Sequence, residues 1–304
     1  MNELDQSLLR QLQKDGRASF SDLAKSVGSS RAAVAVRVNY LINSGQVRVV
    51  AAVHPRVLGL SVLGHLAVKV SSDAGETLRS IDALDSAVYV SETTGPYQIV
   101  IEVRMATMGE LYEVVAKIRS LPDVVEVNVL VYEHIIRSLF LGEEPAVDGL
   151  SLDGTDIDIM TILQRDGRSG FAEIAASVGL SMSACRTRVL RLIDTNIMRV
   201  GAIASRSDGF ESIIFGSGVT LSGDASEVIE LLSGIDGVEF VARTVGRYSL
   251  VVTIAVDSQS AYNQIVHSIR NLKSVLHLDS WIHTSILRER YEKSLDRLVS
   301  DGPS

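Results

Sequence analysis

Only one cysteine, Cys185, occurs in 304 residues, which excludes an intramolecular disulfide framework and suits a reducing compartment. No stretch approaches the roughly 18 apolar residues that a membrane-spanning helix requires, and the opening Met-Asn-Glu-Leu-Asp lacks the basic segment and apolar run of a secretory leader. A soluble, cytoplasmic chain with no membrane partner is expected. The six histidines (His54, His65, His134, His267, His277 and His283) show no close ligand spacing and have no second cysteine to join, so neither a metal nor another cofactor is expected. They read as single polar residues on a sheet. A glycine-rich phosphate loop and a Gly-x-Ser-x-Gly elbow are also missing, and no catalytic residue is assigned.

Basic residues are scarce too: 29 Lys and Arg stand against 37 Asp and Glu, a net charge of −8. That balance opposes nucleic-acid binding, which needs cations to neutralise phosphates. The distribution reverses the argument. Residues 1–50 hold seven Lys and Arg against four acids, and residues 152–201 hold six against six, so the acidic excess lies elsewhere. Any contact with double-stranded DNA is expected from those two segments.

The same two segments resemble each other. "LQKDGRASFSDLAKSVGSS" at 12–30 returns as "LQRDGRSGFAEIAASVGLS" at 163–181, with 11 of 19 positions identical. The offset of 151 holds without a gap through Arg37 and Arg188, Gly95 and Gly246, Tyr97 and Tyr248, and Arg137 and Arg288. Two domain-sized copies indicate duplication of a whole protein rather than a solenoid.

Each copy changes period partway along. Leu8, Leu9 and Leu12 share a helical face; Leu23, Ala24 and Val27 share a second, which Gly28 ends; Ser30 caps a third helix with Val34, Val38 and Leu41 at i, i+4 and i+7. The gap of two or three residues around a glycine is that of a helix-turn-helix. A short strand leads out. From about residue 60 the period becomes two, in "LAVKV", "AVYVS", "QIVIEV" and "VVEVNVLVY", with helices near 74–83 and at "ELYEVVAKIRSL". The order β-α-β-β-α-β is ferredoxin-like. The second copy repeats both patterns.

The spaced run Asp5, Leu12, Asp15-Gly16-Arg17, Leu23-Ala24, Val27-Gly28, Ser30, Arg37-Val38, Leu41 and Gly45, followed by "TTGPYQIVIEV", resembles the Lrp/AsnC family of transcriptional regulators over nearly the whole chain, twice. The resemblance implies an α+β chain: two winged-type helix-turn-helix domains (1–56, 155–207) alternating with two ferredoxin-like domains of the ACT-like or RAM kind (57–138, 208–289). A linker (139–154) and a tail (290–304) complete it. It further implies an intramolecular pseudo-dimer, a small-molecule effector, commonly an amino acid, and self-association into dimers or higher oligomers.

The DNA-facing residues expected are Ser30, Arg31, Val36, Arg37, Asn39 and Tyr40 in the first copy, and Ser181, Ser183, Arg186, Thr187, Arg188 and Arg191 in the second. Val36 suits a thymine methyl and Asn39 an adenine edge. The second helix, richer in donors, is expected to read sequence more strongly. For Arg37 and Arg188 a phosphate contact and a structural ion pair stand as equal alternatives; Arg48 and Arg199 are further backbone candidates. Cys185 takes the core place of Val34.

Effector residues are expected at Gly95, Tyr97, Gln98, Gly246, Tyr248 and Ser249. Where the family has an aspartate, this chain has Gln98 and Ser249, which removes a carboxylate that would meet an amino group. The charged tail "LRERYEKSLDRLV" reads as a helix covering part of the sheet or a partner chain. Two alternatives stay open: a sirohaem-decarboxylase-like enzyme on the same layout, for which Arg247 and Tyr248 are the only remnant at the turns, and a sensing or interaction module that no longer binds DNA.

Overall fold

The computed structural model describes residues 2–71, 74–141, 144–146, 151–206 and 212–300. The first copy forms α1 (Glu3–Lys14), α2 (Phe20–Val27), α3 (Arg31–Asn43), β1 (Val47–Val53), β2 (Val62–Val70), α4 (Gly75–Asp82), β3 (Ala87–Thr93), β4 (Ile99–Met105), α5 (Met108–Arg119) and β5 (Val124–Arg137). The second forms α6 (Gly154–Arg165), α7 (Phe171–Val178), α8 (Met182–Asp194), β6 (Met198–Ala204), β7 (Ile213–Leu221), α9 (Ser226–Ser233), β8 (Val238–Val245), β9 (Leu250–Val256), α10 (Gln259–Arg270) and β10 (Val275–Glu289), followed by α11 (Asp296–Ser300). Contacts divide the chain into unit 1 (Met1–Gly59, Leu139–Phe210, Glu292–Ser304) and unit 2 (Leu60–Ser138, Glu211–Tyr291), so like segments of the two copies share a unit.

Unit 1 follows from its helix signals. Ser19 and Ser30 cap α2 and α3 by accepting from Asp22 N and Ala33 N, and Gly28 closes α2 with φ 65°, a left-handed value that glycine adopts without a Cβ penalty. Val34, Val38 and Leu41 are fully buried beneath α3, as are Cys185, Val189 and Leu192 beneath α8. The strand after each third helix pairs with its counterpart: β1 and β6 form an antiparallel ribbon in which Val50 faces Gly201. Helix α1 packs on β6, and α6 on β1, so each copy completes the other's core.

The two repeated Asp-Gly-Arg turns fasten this exchange. Gly16 N donates to Val200 O at 3.0 Å and Gly167 N to Val49 O at 2.8 Å. Arg17 donates to the carbonyls of Gly167 (2.6 Å) and Ser169 (3.0 Å), and Arg168 donates in return to Gly16 (2.7 Å) and Ala18 (3.1 Å). Each guanidinium also lies over an aromatic ring of the other copy, Arg17 over Phe171 at 4.7 Å and Arg168 over Phe20 at 5.1 Å. The glycines are required by close approach: a Cβ on Gly16 would stand 2.9 Å from Val49 Cγ1 and one on Gly167 2.7 Å from Val200 Cγ1.

The structure adds to the sequence expectations for the linker and the tail. Phe140 and Leu141, expected in the linker, are buried, with Phe140 against Gly201. The tail is not a continuous charged helix. β10 runs on to Glu289 because its backbone pairs with β3, Arg288 opposite Val90 and Glu289 opposite Tyr89, and that ladder overrides helix propensity. Farther on, Glu292 pairs with Arg48 (3.0 Å), Lys293 O accepts from Gln164, and Leu295 is buried.

In unit 2 each copy builds a four-stranded antiparallel sheet, in the orders β3-β4-β2-β5 and β8-β9-β7-β10. On one side of each sheet, a pair of helices supplies core residues, such as Leu78, Ile81, Leu111 and Ile118 in the first copy and Val228, Leu232, Val266 and Ile269 in the second. The edges then meet. β5 pairs with β8 and β10 with β3, closing one eight-stranded barrel. Alternate residues of every strand therefore point into an enclosed space.

Candidate functional site

The faces of α3 and α8 opposite their buried stripes are open. Arg31, Val36, Asn39 and Tyr40 are exposed with the Ser30 cap, Val36 at 72%. On α8, Ser183, Arg186, Thr187 and Arg191 are exposed with the Ser181 cap. The expected DNA-facing residues thus lie along the two recognition helices, and their charges differ in freedom. Arg37 binds Asp5 through Nε and Nη2, the latter at 2.6 Å, and stacks over Tyr40 at 4.6 Å. Arg188 donates to Asp153 (2.6 Å) and Asp156 (3.0 Å), and Arg191 to Asp156 (2.5 Å). Arg31 and Arg186 form no ion pair among the described residues. Arg186 rests 5.8 Å from the Phe171 ring.

Asp5 and Asp156 organise these pairs, and residue-type reasoning gave them no role. Each is the third residue of its helix and closes a capping box, with Asn2 and Asp153 respectively. The signal was present as an acid three residues after Asn or Asp in both copies. The Arg37 hydrogen bond holds the Asp5 carboxyl below the ordinary carboxylate range, and the Arg188 hydrogen bond does the same for Asp153. Arg48 stands in its ion pair with Glu292, and Arg199 donates to Leu141 O at 3.5 Å, so both arginines have partners inside unit 1.

In unit 2 the two glycine turns open onto a cleft. Gly95 and Gly246 have φ of 100° and 145°, and a Cβ on Gly246 would stand 2.5 Å from Leu130 Cδ2. Of the six expected effector residues, Tyr97 and Tyr248 line the cleft, their hydroxyls donating to Glu126 (2.8 Å) and Asp279 (2.7 Å). Gln98 and Ser249 turn instead to the backbone, accepting from Val70 N and Leu221 N. These two side chains fill equivalent structural places in the two copies.

The enclosed side of the barrel holds polar groups that the sequence reading had spread singly over the sheet. His65 lines the cleft, is buried, and has an Nδ1 without a hydrogen-bond partner among the described residues; burial pushes its pKa down to about 4, so it is neutral. Its ring lies 5.9 Å from that of Trp281, whose Nε1 donates to His283 Nε2 at 3.2 Å. His283 Nδ1 in turn meets Tyr89 (3.1 Å) and Ser91 (3.0 Å). Across the β4 ladder from His65 lies Glu102, which accepts from the Tyr132 hydroxyl at 3.2 Å; burial pushes its pKa up to about 7. Alternation along the strands was the legible signal for this cluster, but it reads as a solvated face unless the sheet is known to close.

Residues 1–42 and 152–193 each match the AsnC-type helix-turn-helix domain. The transcriptional regulator FL11 of Pyrococcus abyssi is 31% identical over 126 residues, covering 41% of this chain and 83% of that protein. The regulatory protein AsnC of Haemophilus influenzae is 30% identical over 135 residues, 43% of this chain and 90% of that one. These relatives each match less than half of the present chain. Across both copies, the structure of the siroheme decarboxylase NirDL superposes with a TM-score of 0.63 at 18% identity, covering 96% of this chain and 94% of that one. At that identity the likeness is one of fold. No described helix is long and apolar enough to cross a membrane.

Proposed function

The chain belongs to the Lrp/AsnC family of helix-turn-helix regulators, and from that premise we propose that it is a sequence-specific regulator of transcription acting in the cytoplasm on double-stranded DNA. Residues 1–56 and 155–207 are its DNA-binding domains, and residues 57–138 and 208–289 receive a small-molecule effector. The observation that carries this reading is the reciprocal fastening of Arg17 and Arg168, which holds both helix-turn-helix segments in one unit while the outer faces of α3 and α8 stay open. Regulators of this kind pair two recognition helices on successive major grooves. Here the pair is made within one chain, and because its helices differ, the operator is asymmetric. Val36 and Asn39 offer a methyl contact and an amide; Ser183, Thr187 and Arg186 offer hydroxyl and guanidinium donors.

Binding to the DNA upstream of its own gene, measured across a salt series against non-specific competitor, tests the proposal. Specific binding with a negative slope of log affinity on log salt is expected, and Arg186→Ala lowers that slope by about 0.9 if the side chain neutralises one phosphate. Absence of specific binding at low salt would overturn the reading.

The second reading, a decarboxylase acting on a tetrapyrrole, draws on the fold likeness alone. A tetrapyrrole carrying several carboxylates needs several cations around it. The cleft contributes one arginine, Arg247, and sets Asp279 beside it. That charge balance favours the regulator. An absorbance spectrum after incubation with sirohaem separates the two readings.

A further inference from the structure

The cleft in unit 2 is lined from both copies, and the copies do not match there. With the offset of 151, His65 corresponds to Gly216, Pro96 to Arg247, Asn128 to Asp279 and Leu130 to Trp281. At each pair one copy carries the functional group and the other a smaller or less polar residue. The glycines accommodate what their partners carry: a Cβ on Gly216 would stand 2.0 Å from Trp281 Nε1, and one on Gly218 2.4 Å from the Tyr248 ring. The indole and the phenol therefore lie flat against β7, at 27° to each other. A duplicated barrel with identical halves would offer two equal half-sites. This cleft is asymmetric instead.

The polar groups select the ligand. Asp279 is already engaged: Oδ2 accepts from the Tyr248 hydroxyl and from Arg247 Nη2 (3.0 Å), and Oδ1 meets His277 Nε2 at 2.8 Å. An incoming ammonium would find one acceptor site left on Oδ1 and the Arg247 cation beside it, which disfavours an ordinary α-amino acid. Arg247 gives one N–H to Asp279, also hydrogen-bonds the Tyr97 hydroxyl, and lies over the Tyr248 ring at 5.1 Å, so part of its five-donor fork remains for a ligand. His65, neutral and without a hydrogen bond among the described residues, offers one donor and one acceptor beside Ala67, Val100 and Leu130.

We propose that this cleft binds one planar aromatic carboxylate per chain, its ring against Trp281, its carboxylate on the N–H groups that Arg247 has left, and a ring N–H or hydroxyl on His65. The proposal rests on the reading that unit 2 receives an effector. It moves that effector from the glycine turns themselves, whose Gln98 and Ser249 are committed to backbone, to the enclosed side of the barrel.

Trp281 is the only tryptophan of the chain and reports occupancy directly. The full-length protein is titrated with indole-3-carboxylate, with neutral indole and with leucine, following Trp281 fluorescence under excitation corrected for the probe, and calorimetry for stoichiometry. One saturable site per chain is expected for indole-3-carboxylate below roughly 1 mM. Arg247→Gln, at a half-exposed position, weakens it about 10- to 100-fold, the loss of a charge-assisted hydrogen bond, while leaving indole unchanged. No saturable binding, two equivalents per chain, equal affinity in Arg247→Gln or tighter binding of leucine would each overturn the assignment. Operator affinity measured with the same probe separates the premises. Arg247-dependent binding that leaves operator affinity unchanged supports the site and removes the effector role; a response of operator affinity to leucine without a Trp281 signal supports an effector and removes this site.

Discussion

Replacing Glu102 by glutamine is expected to stabilise unit 2 at alkaline pH and to flatten its pH dependence. Glu102 sits on β4 between His65 of β2 and Tyr89 of β3, one hydrogen bond from Tyr132, and burial outweighs the nearby Arg104 charge to raise its pKa to about 7. A carboxyl whose folded pKa lies above its unfolded value of 4.5 binds more protons folded than unfolded between those two values, so stability falls as pH rises through that window. The full interval is worth about 3 kcal/mol, and most of it accumulates between roughly pH 5 and pH 8. His65 acts at the other limit: its folded pKa of about 4 lies below its usual 6.5, so its contribution is present above the latter and is lost as pH falls toward the former. That acid limb persists in Glu102→Gln, and the difference between the two proteins isolates the carboxyl. Urea unfolding followed by Trp281 emission at about pH 5 and about pH 8 should show wild type losing about 2–3 kcal/mol more than the variant over that range. Parallel loss in both proteins would refute the buried, protonated state of Glu102.

The remaining predictions concern the fastening of unit 1 and the shape of the barrel. Arg17→Ala removes two charge-assisted hydrogen bonds to the other copy's turn and should cost unit 1 about 2–3 kcal/mol, read as a lower urea midpoint by circular dichroism; a change below about 0.5 kcal/mol would remove the fastening role. Arg37→Ala leaves Asp5 buried without its cation and should cost roughly 2 kcal/mol at neutral pH, a loss that shrinks as pH falls through the carboxylate range, while the salt slope of DNA binding stays the same. A lower slope with unchanged stability would instead assign Arg37 to phosphate. Gly216→Ala must displace the Trp281 indole, so its emission maximum should shift and unit 2 lose about 1–3 kcal/mol; an unshifted spectrum would contradict the packing.

Local signals carried most of the elements. Ser30 caps its helix where the hydroxyl side chain announced it, Gly28 ends its helix in the left-handed region with Gly179 doing the same in the second copy, and the stripes Val34-Val38-Leu41 and Cys185-Val189-Leu192 are fully buried. These features depend on neighbours within a turn or two of chain, and the repeat presented them twice. The extension of β10 was misread for the opposite reason. Its charged residues favour a helix locally, and only the β3 edge waiting beside it supplies the backbone partners that make a strand.

The sequence by itself determined two copies of a helix-turn-helix and a β-α-β-β-α-β sheet, because periodicity and caps are properties of nearest neighbours along the chain. It also determined which strand residues share a face. What covers that face was decided by tertiary structure: the pairing of β5 with β8 and of β10 with β3 turns the polar side of each sheet inward. His65 and Trp281, far apart in the chain, thereby become ring neighbours, and burial pushes the Glu102 carboxyl up. Period-two alternation assigns a residue to a side. Only closure of the barrel decides whether that side meets solvent or another sheet.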